Sequence, residues 1–283
     1  MITLSSYITT ILIYILSIVT FILILIGIAL FCIQPNWYRD ASDFTGKLYA
    51  HRGLHGSNIP ENSLTAFRLA REKGYGVELD VQMTKDFKLV VFHDATLKRM
   101  CGVEGYLRDY TYEELQAFSL KGTKERIPLF EEVLKELGET TLICELKSDN
   151  GIRNYEFCNM VDHALSFYQG KYCIESFSPF LTGWFSRKHP EIIRGQLSCD
   201  MKNEQGQNAI TNFLLTNLLL NCVSRPDFIA YNFKDTKCLG YQICKRLYKP
   251  HRFAWTPRGK EEIELAMKEF DTIIFEEEKR SKF

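Results

Sequence analysis

Charged side chains stand at alternate positions in two apolar segments of the sequence, where a buried strand would normally carry hydrophobic residues. Glu78 and Asp80 lie in the first segment, and Glu145 and Lys147 lie in the second. Isolated charges in a protein interior cost several kcal/mol unless they are paired or bound to a metal ion. Glu78, Asp80 and Glu145 offer three hard oxygen ligands, which suit Mg²⁺ or Ca²⁺ better than zinc.

Two histidines lie beside segments of the same kind. His51 follows the apolar residues 48–50 and precedes Arg52, and His93 ends another apolar run. Taken singly, a histidine at a strand end is more often a hydrogen-bonded core residue, and alternating charges more often mark a solvated face. Their joint occurrence favours one site in which the two histidines act as an acid/base pair. Arg52 and Lys147 would supply positive charge for a phosphate there.

The elements that must position these residues alternate along the chain after residue 40. Short β-branched apolar segments alternate with longer segments of helical period, which is typical of a parallel α/β barrel or an open doubly wound sheet. In α/β barrels, catalytic groups gather at the carboxyl ends of the strands. The predicted strands cover residues 47–51, 76–82, 88–93, 141–147, 172–177, 192–197, 227–231, 252–256 and 271–275. The predicted helices include residues 63–73, 112–118, 129–137, 155–168 and 260–269.

One pair of predicted strands lies too close in sequence for a helical crossover. Residues 77–84 and 88–94 are separated only by a short turn, so we expect them to be antiparallel neighbours. Centring that turn between its last two residues places Asp80 opposite His93. This register brings a carboxylate and an imidazole together.

At these residues the chain resembles the glycerophosphodiester phosphodiesterase family. Each motif is weak alone, but the ordered set is specific and spans residues 47–276. The resemblance implies a TIM-barrel fold, a divalent metal ion, and hydrolysis of glycerophosphodiesters to glycerol 3-phosphate and an alcohol. The motifs that carry it are, in chain order, His51-Arg52-Gly53, Pro60-Glu61-Asn62-Ser63, Glu78-Leu79-Asp80, His93-Asp94, Glu145-Leu146-Lys147, Ser176-Phe177-Ser178-Pro179 and Trp255-Thr256.

The resemblance also implies a role for individual residues of this chain. The metal would be Mg²⁺ or Ca²⁺, and the histidines would be the general acid and base in an order that the sequence does not fix. The nucleophile would be water or, through a cyclic phosphate, the neighbouring glycerol hydroxyl. The implied roles are Glu78, Asp80 and Glu145 as metal ligands, His51 and His93 as acid and base, Arg52 and Lys147 as phosphate ligands, and Trp255 as part of the glycerol or alcohol pocket.

Three positions qualify this assignment. Glu61 precedes a predicted helix, and we interpret it as mainly structural, with a contribution to the site as the alternative. Ser63 stands where the family usually has Thr, and both residues can cap a helix. The last predicted strand runs into Phe275 and Glu276, where the family commonly has Thr and Asp. This departure bears on the shape of the leaving-group pocket.

Two other functions remain open from the sequence. The first is a phospholipase-D-like phosphodiesterase that acts on membrane lipids or lysolipids. Residues 210–223 are conspicuously apolar and could form a membrane-facing lip, although we favour a buried barrel helix. The second is a membrane-anchored binding protein that has lost its activity. Retention of every candidate ligand and histidine argues against this second function.

An apolar leader precedes the barrel. No residue before Arg39 is charged, and the 27 residues of Tyr7–Ile33 form one hydrophobic stretch. A helix of this length spans roughly 40 Å, more than the hydrocarbon core of a bilayer. A cleaved signal peptide would have a basic start and a shorter apolar region, and a buried core helix is the other alternative. We predict a transmembrane anchor over residues 1–38 and a barrel domain over 39–283.

Flanking residues and composition complete the predictions. Trp37 and Tyr38 stand where interfacial aromatics are expected, and Arg39, Lys47 and Arg52 all follow the helix, which favours a cytoplasmic domain. The chain has 35 basic and 35 acidic residues, which excludes a strongly basic nucleic-acid binder. The nine cysteines are scattered without a C-x-x-C pair, which favours reduced structural thiols.

Overall fold

The computed structural model describes residues 4–36, 39–148, 154–203 and 208–277. Trp37 and Tyr38, predicted to be interfacial aromatics, lie outside these ranges. The strands are β1 (Leu48–His51), β2 (Gly76–Met83), β3 (Leu89–Val91), β4 (Leu142–Leu146), β5 (Tyr172–Ser176), β6 (Arg194–Ser198), β7 (Phe228–Asn232), β8 (His251–Arg258) and β9 (Thr272–Glu276). The α-helices are α1 (Leu4–Ile33), α2 (Leu64–Glu72), α3 (Lys98–Cys101), α4 (Tyr112–Leu115), α5 (Phe130–Leu137), α6 (Asn154–Leu165), α7 (Pro179–Lys188), α8 (Ala209–Thr216), α9 (Asn221–Ser224), α10 (Leu239–Leu247) and α11 (Gly259–Met267). Short 3-10 helices span Ser42–Phe44, Leu107–Asp109, Leu120–Gly122 and Met201–Asn203.

Every predicted strand is present, and the strands close into a barrel. Strand β1 pairs in parallel with both β2 and β9, which joins the two ends of the sheet order β1-β9-β8-β7-β6-β5-β4-β2. The described helices lie mainly in the connections between consecutive parallel strands. This closure confirms the TIM (β/α)8 barrel and excludes the open doubly wound sheet.

The remaining strand, β3, occupies an edge of β2 that β1 leaves free. Strand β1 has four residues and follows β2 only as far as the pair His51↔Glu78. Strand β2 has eight residues, and β3 pairs antiparallel with its last part. The expected hairpin is therefore confirmed, and it stands at the carboxyl end of the barrel because β2 extends beyond its neighbour.

The expected register of this hairpin is wrong by one residue. Val81 pairs with Val91, and the N–H of Phe92 donates to the carbonyl of Asp80 at 2.9 Å, so Phe92 rather than His93 lies opposite Asp80. The physical reason is the turn, which closes with a bond from the N–H of Thr84 to the carbonyl of Lys88. The turn is thus centred on Asp86 rather than between Asp86 and Phe87.

Alternate residues of the barrel strands form two layers inside the barrel. Tyr49, Ile143, Cys173, Phe253 and Ile274 belong to one buried apolar cluster, which fills the lower layer. The residues two positions further along the same strands are His51, Glu145, Glu175, Trp255 and Glu276. Since side chains alternate between the two faces of a strand, these polar residues lie directly above the apolar layer.

The cysteines contribute to packing. The nine cysteines all lie in the described ranges, and none of them forms a disulfide. The thiols of Cys144, Cys158, Cys173, Cys199 and Cys244 are buried, and burial raises the pKa of the Cys144 thiol well above its usual value. This agrees with the prediction of reduced structural thiols.

Helix α1 is exposed along most of its length, and its carboxyl-terminal end is hydrogen-bonded to the barrel domain. The candidate span Tyr7–Ile33 has a mean hydropathy of 3.1 and buries 0% of its most apolar window. Its last carbonyls accept side-chain hydrogen bonds from residues that precede β7 and β8. The donors are Tyr248 Oη to Leu30 at 2.8 Å, Arg225 to Phe31 at 3.0 Å and Asn221 Nδ2 to Ile33 at 2.7 Å.

Candidate active site

Three carboxylates meet at the carboxyl ends of two neighbouring strands. Glu78 and Asp80 lie on β2, Glu145 lies on β4, and the parallel register sets Asp80 beside Glu145. All three are buried, and ligand oxygens of the three lie within 4.8 Å of one another. Burial, reinforced by the neighbouring carboxylates, raises the pKa of Glu78 well above its usual value. The predicted metal ligands are therefore brought together.

Two cations hold this acidic cluster in place. Lys147 Nζ lies 2.8 Å from Asp80 Oδ1 and 2.6 Å from Glu145 Oε1. Arg52 Nε lies 3.2 Å from Asp80 Oδ2, and the backbone N–H of Arg52 donates to Glu78 Oε2 at 2.9 Å. Although burial opposes ionisation, Lys147, with His93 and Arg52, holds the pKa of Asp80 well below its usual value.

The backbone at Arg52 follows a tight left-handed path that requires the next residue to be glycine. Arg52 has φ 56° and Gly53 has φ 77°. A Cβ on Gly53 would come within 2.8 Å of the backbone of Ala66 in α2, a distance that side chains do not tolerate. Gly53 thus lets the loop after β1 pack on α2, and the Arg52 N–H is directed at Glu78.

The donor set fits a divalent cation. The group of Glu78, Asp80, Glu145 and the buried Glu175 carries four carboxylates, against the two cations Arg52 and Lys147. Among the described residues, Glu175 Oε2 is buried and has no hydrogen-bond partner. Carboxylate oxygens are the preferred ligands of Mg²⁺ and Ca²⁺, and a divalent ion would balance the excess negative charge.

Each candidate histidine is held by a carboxylate through Nδ1. His51 Nδ1 lies 2.8 Å from Glu276 Oε1, and His93 Nδ1 lies 2.7 Å from Asp94 Oδ1. The side chain of His51 is 12% exposed and that of His93 is 33% exposed. A carboxylate on Nδ1 fixes the tautomer and leaves Nε2 for proton transfer. His51 Nε2 lies 3.9 Å from Glu78 Oε2, at the edge of the acidic cluster.

Burial sets the protonation of the first of these pairs. Burial lowers the pKa of His51 to about 4, because the hydrogen bond that Nδ1 donates to Glu276 offsets only part of the cost of burying the charged ring. Against the cost of burial, the hydrogen bond with His51, together with the nearby charge of Arg258, lowers the pKa of Glu276 to about 2. At neutral pH, His51 is a neutral imidazole beside an ionised carboxylate.

Glu61 does not line the cavity but accepts hydrogen bonds from two arginines beside it. It accepts from Arg52 Nη1 at 2.8 Å and from Arg99 Nη2 at 2.6 Å. Against the cost of burial, these two guanidinium groups lower its pKa to about 2. The next residue, Asn62, donates from Nδ2 to Asp80 Oδ2 at 2.8 Å. The turn before α2 thus orients Arg52 and Asp80, which agrees with the mainly structural interpretation of Glu61.

The cavity at this end of the barrel has a volume of about 80 Å³. Of the predicted residues, Asp80 and Lys147 lie behind the lining side chains that they contact, and Glu61 lies behind Arg52. Trp255 forms one apolar wall, with the ring of Phe177 edge-on at 5.6 Å. The predicted residues that line the cavity are His51, Arg52, Glu78, His93, Glu145 and Trp255.

Sequence reasoning missed four polar residues of this site. Glu175 lines the cavity, and Glu276 and Asp94 hold the two histidines. Arg99 joins Asp94 to Glu61, with Nε 2.6 Å from Asp94 Oδ2. A signal existed for Glu175, which is a lone carboxylate in a buried strand at the same alternation as Glu145. Glu276 was noticed only as a departure from the family pattern.

The prediction for residues 210–223 is only partly correct. We favoured a buried helix, yet in α8 Ile210 is 73% and Phe213 is 60% exposed. Leu215, by contrast, is buried and packs in a cluster that also contacts Phe177 and Trp255. Composition could not predict the exposure of Ile210 and Phe213, because apolar residues of the same types occur on both exposed and buried helix faces. Leu215 of α8 therefore packs beside two residues that line the cavity.

Comparison with known proteins agrees with this geometry. The chain is 42% identical over 113 residues to a glycerophosphodiester phosphodiesterase of Caldanaerobacter subterraneus subsp. tengcongensis, which covers 38% of this chain and 46% of that protein. It is 36% identical over 127 residues to the lysophospholipase D GDPD1 of Rattus norvegicus, which covers 40% of each chain. The matched part thus spans less than half the length of these curated relatives.

Solved structures share the fold. A glycerophosphodiester phosphodiesterase from Thermotoga maritima matches with a TM-score of 0.60 and 26% identity, over 81% of this chain and 93% of that one. An Oleispira antarctica phosphodiesterase, solved with sn-glycerol-3-phosphate, matches with a TM-score of 0.69 and 21% identity, over 84% and 95%. The model of the glycerophosphoryl diester phosphodiesterase family matches residues 51–229. This match covers most of the barrel and both histidines, and the chain belongs to the glycerophosphoryl diester phosphodiesterase family.

Proposed function

We propose that the chain hydrolyses glycerophosphodiesters to glycerol 3-phosphate and an alcohol in the cavity at the carboxyl end of the barrel. The observation that carries this proposal is the convergence of three buried carboxylates and two carboxylate-bound histidines on one cavity. Family membership and the named glycerophosphodiester phosphodiesterases among the relatives support the same substrate class.

In this proposal, Glu78, Asp80 and Glu145 hold Mg²⁺ or Ca²⁺. When bound, the ion would neutralise charge on the phosphate and polarise its P–O bonds. The Arg52 guanidinium, fixed by Glu61, presents donors to the same phosphate. Lys147 favours the ionised forms of Asp80 and Glu145, since its ammonium contacts both, although burial raises the pKa of Glu145. Trp255 and Phe177 shield one side of the cavity from water and accommodate the glycerol or alcohol part of the substrate.

The two histidines divide the proton transfers. His51 is neutral at neutral pH, so its Nε2 can take a proton from the nucleophile, which is either water or the neighbouring glycerol hydroxyl. His93, oriented by Asp94, is then placed to give a proton to the departing alkoxide. Each step needs Nε2 free, and in both residues the carboxylate occupies Nδ1.

Replacing Glu276 with glutamine should lower kcat roughly 10- to 100-fold with little change in KM, because the amide no longer fixes the His51 tautomer by charge. The carboxylate raises the pKa of His51. Loss of this carboxylate should therefore lower the pKa of His51. The acidic limb of the pH profile, where His51 becomes protonated, should then move to lower pH. The measurement is the pH profile of kcat/KM. Glu277→Gln, at an exposed side chain that pairs with Lys73, is the control and should match the wild type. An unshifted acid limb in Glu276→Gln would contradict the positioning role.

The substrate class is tested by following glycerol 3-phosphate released from glycerophosphocholine and glycerophosphoethanolamine by the full chain in detergent. Faster turnover of lysophosphatidylcholine than of either would favour a second function, a phospholipase-D-like lysolipase. The specific observation in favour of that function is helix α8, where Ile210 and Phe213 are exposed while Leu215 packs in a cluster that also contacts the cavity residues Phe177 and Trp255. Turnover of the soluble diesters alone supports the first function.

We also propose that residues 1–38 anchor the barrel domain of residues 39–283 to a membrane, with that domain in the cytoplasm. The length, hydropathy and exposure of Tyr7–Ile33 support a single span, and the basic residues that follow it support the orientation. In intact cells, the segment that follows α1 should resist external protease and become cleavable only after permeabilisation. Cleavage by protease added to intact cells would contradict the orientation.

A further inference from the structure

A second group of metal-ligating side chains lies on the opposite side of His51 from the carboxylate cluster. His51 at the end of β1, His55 in the following loop and Glu276 at the end of β9 offer ligand atoms that all lie within 4.8 Å of one another. All three side chains are partly exposed. A solvent ion can therefore reach them and keep water as a further ligand.

The chemistry of this group differs from that of the carboxylate cluster. Two imidazole nitrogens and one carboxylate oxygen form a donor set that favours Zn²⁺ and similar transition metals, whereas three carboxylates favour Mg²⁺ or Ca²⁺. Glu276 uses Oε2 for Arg258 Nε at 2.8 Å and directs Oε1 toward His51. One carboxylate oxygen thus remains for a metal.

The His55 side chain has a nitrogen that no residue in the described part of the chain pairs with. Among the described residues, its Nε2 is buried and makes no hydrogen bond. Burial also lowers the pKa of the His55 ring, which favours the neutral form that can bind a metal. No step in the proposed mechanism uses this residue, and an unsatisfied buried nitrogen requires an explanation of its own.

We propose that His51, His55 and Glu276 bind a transition-metal ion of the Zn²⁺ class, and that this binding inhibits the enzyme. Coordination at His51 Nδ1 replaces the proton that this nitrogen shares with Glu276, and the neutral ring then carries its proton on Nε2. With Nε2 protonated, His51 has no lone pair with which to accept a proton from the nucleophile. The inhibitory consequence rests on the proposed function, whereas the binding site does not.

The activity test uses the full chain in detergent with saturating Mg²⁺, so that the carboxylate cluster is filled, and titrates Zn²⁺ during turnover of glycerophosphocholine. His55→Gln should keep the uninhibited rate and require on the order of 10-fold more Zn²⁺ for half inhibition, because one of three protein ligands is lost. His55→Asn serves as a second variant should the glutamine impair folding. His189→Gln, which changes a partly exposed histidine paired with Asp162, should be inhibited like the wild type.

The binding test is independent of activity. Co²⁺ added to the Mg²⁺-saturated wild type should give the visible absorption of a nitrogen-ligated site, and His55→Gln should lose most of that absorption. If the enzyme shows no turnover, loss of the Co²⁺ spectrum still supports the site while the proposed function fails. The same Co²⁺ spectrum and the same Zn²⁺ inhibition in the wild type and both His55 variants would overturn the proposal.

Discussion

Replacing Asp80 with asparagine is expected to abolish metal-dependent turnover while the barrel stays folded. Asp80 is fully buried and is the one cluster carboxylate that contacts both cations, Lys147 and Arg52. The amide keeps the shape of the side chain but removes the charge that a hard cation requires. Because metal-assisted charge stabilisation supplies several kcal/mol, the rate with saturating metal should fall on the order of 10³-fold.

Thermal unfolding with and without metal separates this effect from loss of fold. Wild-type protein should gain stability on addition of Mg²⁺ or Ca²⁺, by about 2.7 kcal/mol at 100 times the dissociation constant, and Asp80→Asn should gain little. Asp43→Asn is the matched control, because Asp43 is exposed and pairs with Lys171, and it should behave as the wild type does. Full activity of Asp80→Asn would refute the assignment of the metal ligands.

Replacing His51 with alanine should lower kcat by about 10²- to 10⁴-fold, the usual worth of a positioned acid or base. Stabilisation by Mg²⁺ or Ca²⁺ should survive, since His51 is not among the proposed ligands of that ion. His93→Ala should show a loss of similar size, and the double variant should lose less than the product of the two because the groups act as a unit. The control is His163→Ala, which removes an exposed histidine on α6 that contacts Phe167.

These variants are compared by single-turnover and steady-state rates on glycerophosphocholine. A His51→Ala enzyme that retains full turnover would show that another group accepts the proton. In that case the His51–Glu276 pair would be structural, and the assignment of the base would have to move to His93.

The α/β class and the acidic cluster could be predicted because both follow from local patterns. Alternation of strand and helix indicated either a parallel barrel or an open doubly wound sheet, and the family resemblance selected the TIM barrel. Glu78, Asp80 and Glu145 stood out as charges inside apolar strands. The parallel register of β2 and β4 then brings Asp80 beside Glu145 without any long-range information beyond strand adjacency. Predictions of this kind depend on few residues and on rules that hold across α/β barrels.

Contacts that close the barrel could not be predicted in the same way. Glu276 reaches His51 across 225 residues of sequence, and only the pairing of β1 with β9 makes them neighbours. The hairpin register depended on one residue in a turn, where the bond between Thr84 and Lys88 decides the centre. In α8, the choice of exposed face depends on what Leu215 packs against, which composition does not specify.

The central claim is metal-dependent phosphodiester hydrolysis at the His51 site, and one measurement tests it most directly. Glycerol 3-phosphate release from glycerophosphocholine is followed in EDTA, then after Mg²⁺ or Ca²⁺ is restored, for the wild type and for His51→Ala. The account predicts no release in EDTA, release on restoring metal in the wild type, and almost none in His51→Ala. Release that persists in EDTA, or that is equal in His51→Ala, would contradict it.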